Sequence, residues 1–281
     1  MVEPVERDAR GILGPDRGLR RFSLRRHEPS PAVARFVDRC WEVRWDLPDG
    51  DAHSQQVWPH PVVNVVVDGA RAEANLTTTL VTRTLEGRGR VLGTMFRPGG
   101  FRPLLGRPMH TFVDETRPLA EVVGDAAAAE WIDAARDDAP PGDAMDGDGD
   151  DEGVAAVERL DAVLERLLPA THHPCEETTA LAEAVAADPT IRRVEDLASL
   201  AGVSPRTLQR RFADHVGVSP KRVIRRYRLY DAAERVRGGQ AVDWAAVAAE
   251  LGYADQAHLT RDFADAFGMP PATYARWCAA G

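Results

Sequence analysis

Two groups of side chains near the end of this 281-residue chain have the types and the spacing to read base pairs. Arg206, Gln209 and Arg210 make up the first, and Gln256, Ala257, His258, Thr260 and Arg261 the second. An arginine fork donates two bonds to the O6 and N7 of guanine, and a glutamine amide pairs with the N6 and N7 of adenine. A small apolar residue such as alanine fits against a thymine methyl. Polar residues on a helix are more often merely solvated, so one such group would say little. The weight comes from finding the pattern twice in matching surroundings.

Those surroundings form an internal repeat. The first copy is "VEDLASLAGVSPRTLQRRFADHVGVSP" and the second "WAAVAAELGYADQAHLTRDFADAFGMPP", with 51 residues between Phe212 and Phe263. Each reads as a helix, a tight turn at Gly202 or Gly252, and a second helix, which is the helix-turn-helix arrangement. Ser204 and Asp255 are suited to cap the second helices, and Pro205 suits a first helical position. The i, i+4 pairs Leu208–Phe212 and Leu259–Phe263 predict the buried edge, which leaves the polar groups outside. Between the copies, "PKRVIRRYRLYDAAERVRGG" predicts one connecting helix with Val223, Ile224, Tyr227, Leu229 or Tyr230, and Ala233 on its apolar face. Gly238 and Gly239 stop it, and its arginines are expected on phosphates. A rigid spacer is useful here, because two helices enter successive turns of one groove only if they stand about 34 Å apart.

The net charge of −9 runs against a polyanionic partner until it is divided along the chain. From Asp133 to Glu152 nine acids face one base, a local charge of −8. From Ser204 to Arg237 ten bases face three acids, a local charge of +7. The local field is what a phosphate backbone meets. The acidic stretch "DDAPPGDAMDGDGDDEG" has a linker's composition. Asp146, Asp148 and Asp150 imitate the start of a calcium loop, but Asp151 and Val157 stand where the turn glycine and the bidentate glutamate belong, so no metal is expected.

Upstream, "CWEVRW", "PVVNVVVDG", "VTRTL", "RVLGTMFRPGG" and "HTFVDE" are β-branched or aromatic runs separated by turn residues, and "PAVARFVDRCW" begins as a short helix. They predict a small barrel or sandwich. After the acidic stretch, Val154, Val157, Leu160, Leu164, Leu167 and Leu168 line one helical face, which suits either packing on the chain's own domains or a dimer seam. The expected organisation is α+β in two domains. A β-rich sensor or regulatory domain spans 1–125, an acidic linker and amphipathic helix 126–175, and an all-α double helix-turn-helix domain 176–281. No apolar run approaches the roughly 18 residues of a membrane span, and the N-terminus lacks the apolar core of a secretory signal. Three widely spaced cysteines suggest neither a zinc knuckle nor a disulfide framework, and a cytoplasmic setting is expected.

Residues 178–277 resemble the AraC family of bacterial transcriptional regulators. The most specific stretch is "LGYADQAHLTRDFADAFGMPPATYAR", with its Gly-Tyr step, its Arg-x-Phe and its Gly-x-x-Pro-x-x-Tyr. The resemblance implies a two-helix-turn-helix domain on double-stranded DNA, fused to a variable sensor or dimerisation domain and able to contact RNA polymerase. It places Arg206, Gln209 and Arg210 at base-contacting positions of the first reading helix, and Gln256, Ala257, His258, Thr260 and Arg261 on the second. The N-terminal part is similar to cupin-like sensor domains, though His53 and His60 do not supply the H-x-H metal signature. Trp58, His60, Asn64, Arg97, Phe101 and Arg102 are the candidate ligand-binding residues for an unknown small-molecule effector, with no cofactor implied. Arg97 calls for a partner, an acidic ligand or a nearby carboxylate. An alternative is the alkyl-acceptor protein of DNA repair that some AraC-like domains accompany. It needs an activated cysteine, and Cys40, Cys175 and Cys278 lack the Pro-Cys-His-Arg context. No enzymatic activity is expected.

Overall fold

A computed structural model of the chain describes residues 18–58, 60–136 and 150–279. The acidic stretch that imitates a calcium loop falls almost wholly outside these. Eight strands open the described chain: β1 (Ser23–His27), β2 (Val37–Asp46), β3 (Ala52–Val57), β4 (Asn64–Asp68), β5 (Arg71–Leu76), β6 (Val81–Glu86), β7 (Arg88–Phe96) and β8 (Glu115–Pro118). Six of them form one antiparallel sheet in the order β1-β2-β7-β4-β5-β8, and β3 pairs with β6 in a separate ribbon. "HTFVDE" is not a strand. A short 3-10 turn, Met109–Thr111, occupies its start, and β8 begins only at Glu115.

Alternation decides what each face does. In β2, Cys40, Glu42 and Arg44 are buried, while Trp41, Val43 and Trp45 turn to the half-exposed face. There the two indoles lie over Gly93 and Gly89 of β7, positions where a Cβ would collide with the rings. The buried face is covered by α3 (Asp125–Ala135) and α4 (Asp150–Leu167), which follow the short helices α1 (Arg102–Leu105) and α2 (Ala120–Val123). Trp131 of α3 is fully buried, and Val157, Leu160 and Leu164 of α4, with Leu168 just past its end, close the same core. The apolar stripe of α4 is therefore spent inside its own domain; only Val154, 44% exposed, is left outward. Packing likewise continues unbroken past residue 125, because the alanines and Trp131 of α3 belong to the sheet's core.

The remaining helices are α5 (Cys175–Ala187), α6 (Val194–Leu200), α7 (Pro205–His215), α8 (Pro220–Arg237), α9 (Trp244–Glu250), α10 (Gln256–Phe267) and α11 (Pro271–Ala279). They surround two cores. One holds Val185, Leu197, Leu208, Phe212, Val223 and Ile224, and the other Tyr230, Leu259, Phe263, Phe267 and Tyr274. The second core also receives Trp58, delivered by the loop after β3. Its ring lies edge-on to Phe267 at 4.5 Å and stacks on Tyr230 at 5.8 Å between centroids.

A second seam joins the sheet domain to the first core. Arg35 grips Glu176 with both ends of its guanidinium at 2.7 and 3.1 Å. Arg97 pairs with Glu183 at 2.5 Å, Arg102 with Asp214 at 2.9 Å, and Thr179 donates to the Pro98 carbonyl at 2.7 Å. At Gly217, φ is +91° and a Cβ would come within 3.0 Å of the Met109 carbonyl and 2.9 Å of Val113, so the two surfaces meet without room for a side chain.

Candidate nucleic-acid interface

The two helix-turn-helix units share one backbone solution. Gly202 and Gly252 have φ of +62° and +63°, a left-handed conformation that glycine adopts without steric cost. Each turn is then closed by the following residue: Val203 N–H donates to the Ala198 carbonyl at 3.1 Å, and Tyr253 N–H to Ala248 at 3.0 Å. Ser204 accepts from Thr207 N–H at 3.2 Å and Asp255 from His258 N–H at 2.7 Å, so both reading helices are capped. A cap of this kind is worth about 1 kcal/mol. Leu208, Phe212, Leu259 and Phe263 are fully buried, which fixes the roll of α7 and α10.

That roll sets the outer edges. Arg206, Gln209 and Arg210 are exposed on α7, and Gln256, Ala257 and Arg261 on α10. His258 and Thr260 are half-buried, and the His258 ring stands edge-on to Tyr253 at 5.1 Å. Among the described residues, Arg206, Arg210 and Arg261 have no carboxylate within ion-pair distance, although other arginines of this region do: Arg211 pairs with Glu177 and Arg237 with Glu234. The unpaired guanidiniums are free to take an anionic or base-edge acceptor.

The connecting helix α8 departs from expectation. Three of its arginines, placed by sequence on phosphates, turn inward instead. Arg225 lies over the Tyr253 ring at 4.2 Å and donates to the Gly252 carbonyl at 3.0 Å. Buried Arg228 bonds the Val185 and Asp188 carbonyls at the end of α5 and pairs with Asp231 at 2.7 Å. Burial pulls its pKa down. Arg226 donates to the Thr78 carbonyl of the sheet domain at 2.8 Å. These arginines brace the two reading units against each other and against the sheet. Lys221, Arg222, Arg235 and Arg237 remain exposed on the same helix.

The six candidate ligand residues are not brought together. Trp58 belongs to the second helical core, with His60 beside Tyr230 at 5.1 Å between centroids. Phe101 sits between Phe96 and Phe112 in the sheet core. Asn64 accepts from the Trp41 indole N–H at 3.1 Å. Arg97 and Arg102 serve the seam with α5 and α7, and the carboxylate Arg97 calls for is Glu183. Sequence reasoning missed this seam. Its only local sign is "RPGGFR", two arginines flanking a glycine pair that could have marked a close approach.

The thiols have their own chemistry. Burial pushes Cys40 and Cys175 up to about 12, and Cys278 is raised as well. A thiol held protonated at neutral pH is a poor nucleophile. Among the described residues no group of three His, Cys, Asp or Glu side chains is placed to hold a metal ion.

Comparison with known proteins agrees with the helical half of this description. Residues 197–276 match a family model described as a helix-turn-helix domain, and residues 25–118 match one described as a domain of unknown function. A Streptomyces lividans protein described as an AraC-like transcription regulator is 40% identical over 81 residues, 29% of this chain and 26% of the relative. A Haemophilus influenzae helix-turn-helix-type transcriptional regulator is 35% identical over 81 residues, 29% of this chain and 27% of the relative. The chain thus matches about a quarter of the length of these relatives. Among solved structures, ToxT of Vibrio cholerae aligns over 91% of this chain and 98% of its own, at 11% identity and a TM-score of 0.37. The C-terminal domain of AraT from Geobacillus stearothermophilus aligns over 36% of this chain and 84% of its own, at 22% identity and a TM-score of 0.30. Residues 197–276 are thus a helix-turn-helix domain, similar to the one in these AraC-like transcription regulators.

Proposed function

We propose that this chain is a sequence-specific transcription regulator that sets α7 and α10 into successive major-groove segments of double-stranded DNA. The observation that carries the reading is the duplicated geometry: the same turn, cap and buried Leu-Phe edge leave Arg206, Gln209 and Arg210, and again Gln256, Ala257 and Arg261, exposed. His258 and Thr260 sit at the half-buried margin of that second edge, placed for a phosphate or a flanking base. The protein works in the cytoplasm, where it contacts RNA polymerase or blocks it. The sheet domain supplies control by a small molecule and couples to DNA through the two seams, since whatever alters docking alters how the reading helices are held. Homodimerisation is a further part of the proposal, and it must use a surface other than the buried stripe of α4. The alkyl-acceptor alternative is disfavoured by the buried, high-pKa thiols of Cys40 and Cys175.

The test is selection of bound fragments from random DNA by the full chain, repeated with Arg210→Ala and Arg261→Ala at two salt concentrations. A motif with two parts about one helical turn apart is expected, each variant relaxing a different part. Uniform weak binding to every sequence, lost equally with salt, would refute specific regulation.

A further inference from the structure

Two arginines of α8, one helical turn apart, tie it to the two reading units. Arg228 bonds the Val185 and Asp188 carbonyls at the end of α5, beside the first unit. Arg225 holds the second unit at three places. It donates to the Gly252 carbonyl in the turn at 3.0 Å, lies over the Tyr253 ring at 4.2 Å, and stands 3.9 Å from the carboxylate of Asp262, the residue after Arg261. Its side chain is only 17% exposed, so it is spent on the protein and not on phosphate. Tyr253 in turn meets the His258 ring edge-on at 5.1 Å, in the first turn of α10. The first unit differs here: Val203 follows Gly202 where Tyr253 follows Gly252, and valine has no ring to stack on.

Adding one base pair between two sites on a duplex moves the second by about 3.4 Å and turns it by about 34°. Two reading helices reject that change only if their mutual position is held more tightly than this. The apolar core that seats α10 against Leu229, Tyr230 and Ala233 attracts without direction. A guanidinium bonded to a carbonyl and stacked on a ring fixes direction as well as distance. Resting on the DNA reading above, we infer that Arg225 is a positioning residue for it. Through Gly252 and Tyr253 it sets where α10 stands relative to α7, and so which spacing between the two parts of the operator the chain accepts, with no DNA contact of its own.

The experiment has one arm without DNA and one with it, both on the full chain. Spin labels are placed at Gln209→Cys and Asp265→Cys, exposed on α7 and α10, in a Cys278→Ser background, since the other two cysteines are buried. Pulsed electron resonance should give one narrow distance in this chain, a broader distribution in Arg225→Gln, and an intermediate one in Arg225→Lys, which keeps the charge without the planar fork. Arg235→Gln, an exposed arginine of the same helix, should leave the distance unchanged. In the second arm the two-part motif selected by the natural chain is lengthened or shortened by one base pair. The natural chain should lose about tenfold in affinity and Arg225→Gln no more than about twofold. The base preference within each part should stay as it was. Mere loss of stability would instead weaken binding at every spacing alike and relax the second part. If Arg225→Gln does not fold, Arg225→Lys and Tyr253→Leu serve in its place, and each should narrow the difference between spacings. An unchanged distance distribution, or a spacing preference kept in these variants, overturns this inference and leaves the DNA reading standing. A natural chain that selects no two-part motif refutes the DNA reading, and the spacing role with it.

Discussion

The two helix-turn-helix units have nearly identical backbones and unlike surroundings. The first is bound along its length to the sheet domain: Asp214 holds Arg102, Thr179 holds the Pro98 carbonyl, and Gly217 presses on Met109 and Val113. Its reading helix is strongly basic, with Arg206, Arg210 and Arg211. The second unit meets the sheet domain through the inserted ring of Trp58 and through Leu80, which abuts Gly268 at the end of α10, and its reading helix sets Arg261 among Asp262 and Asp265. Duplication has kept the capped turn and the Leu-Phe edge, the parts that make a reading helix stand at a fixed angle. It has left charge and anchoring to diverge. On the function proposed above, the first unit would supply electrostatic affinity from a fixed base, and the second would discriminate by hydrogen bonds and a methyl contact from a base that Trp58 and Leu80 position.

The strongest way to break this comparison is to empty each core in turn. Phe212→Ala and Phe263→Ala should each cost about 3–5 kcal/mol, with amide exchange rising first in the unit that lost its ring. Equal exchange in both units after either change would show one cooperative block instead of two. Trp58→Ala comes next, at about 3 kcal/mol. Its effect should appear in α10 and α11 and spare α7, although the altered residue lies in the sheet domain. Arg210→Ala and Arg261→Ala should each weaken operator binding by about 1–3 kcal/mol, read by titration of labelled DNA. Joint loss of Arg206 and Arg210 should flatten the salt dependence more than loss of Arg261 does. The caps give a smaller and nearly equal effect: Ser204→Ala and Asp255→Ala should lower unfolding free energy by about 1 kcal/mol each.

The last distinction is in pH. Burial first, then the charges of Arg102, His173 and Arg211 working against Asp214, holds His215 below its usual 6.5; His173 is lowered in the same way. Both are neutral in the fold, so the unfolded chain takes up protons first as pH falls. Their contribution is constant above about pH 6.5 and stability declines below it, until the folded imidazoles protonate. Melting curves between pH 7.5 and 5.5 should show this, and His215→Gln should flatten the decline. A slope unaffected by that change would move the titration elsewhere.

Much of the helical half could be read from sequence because its signals are local. Caps, glycine turns and i, i+4 pairs lie within a few residues of each other, and the structure places the reading edges where those signals do. The sheet half was less legible. β1, "SLRRH", and β3, "AHSQQV", carry few of the β-branched runs that mark a strand, since each is held by pairing more than by burial of its own side chains. The alanine-rich α3 has little periodicity, and it is tied to the core by Trp131 together with the small buried side chains of Ala128, Ala134 and Ala135, which carry no strong sequence signal. Trp58, Arg97 and Arg102 are pocket candidates by resemblance to sensor domains, and Arg97 also because a charge at the end of a strand asks for a partner. The partners lie more than 80 residues away, at Glu183, Asp214 and Phe267, and no local pattern encodes a separation of that size.

The bare backbone at Gly217 sets the character of any switching between the domains. At Gly217 the helical surface lies directly against Met109, Val113 and Leu76 with no room for a side chain of its own, and a contact this close does not give way by degrees; it is seated or apart. A signal reaching the reading helices through this seam would therefore be a count of molecules in each of two states, never a graded tilt. A single added methyl at Gly217, in a backbone already turned to positive φ, would throw the balance to the open side with no ligand present. The same small change would then serve the chain's evolution as a permanent setting of the switch, leaving every base-reading residue as it was.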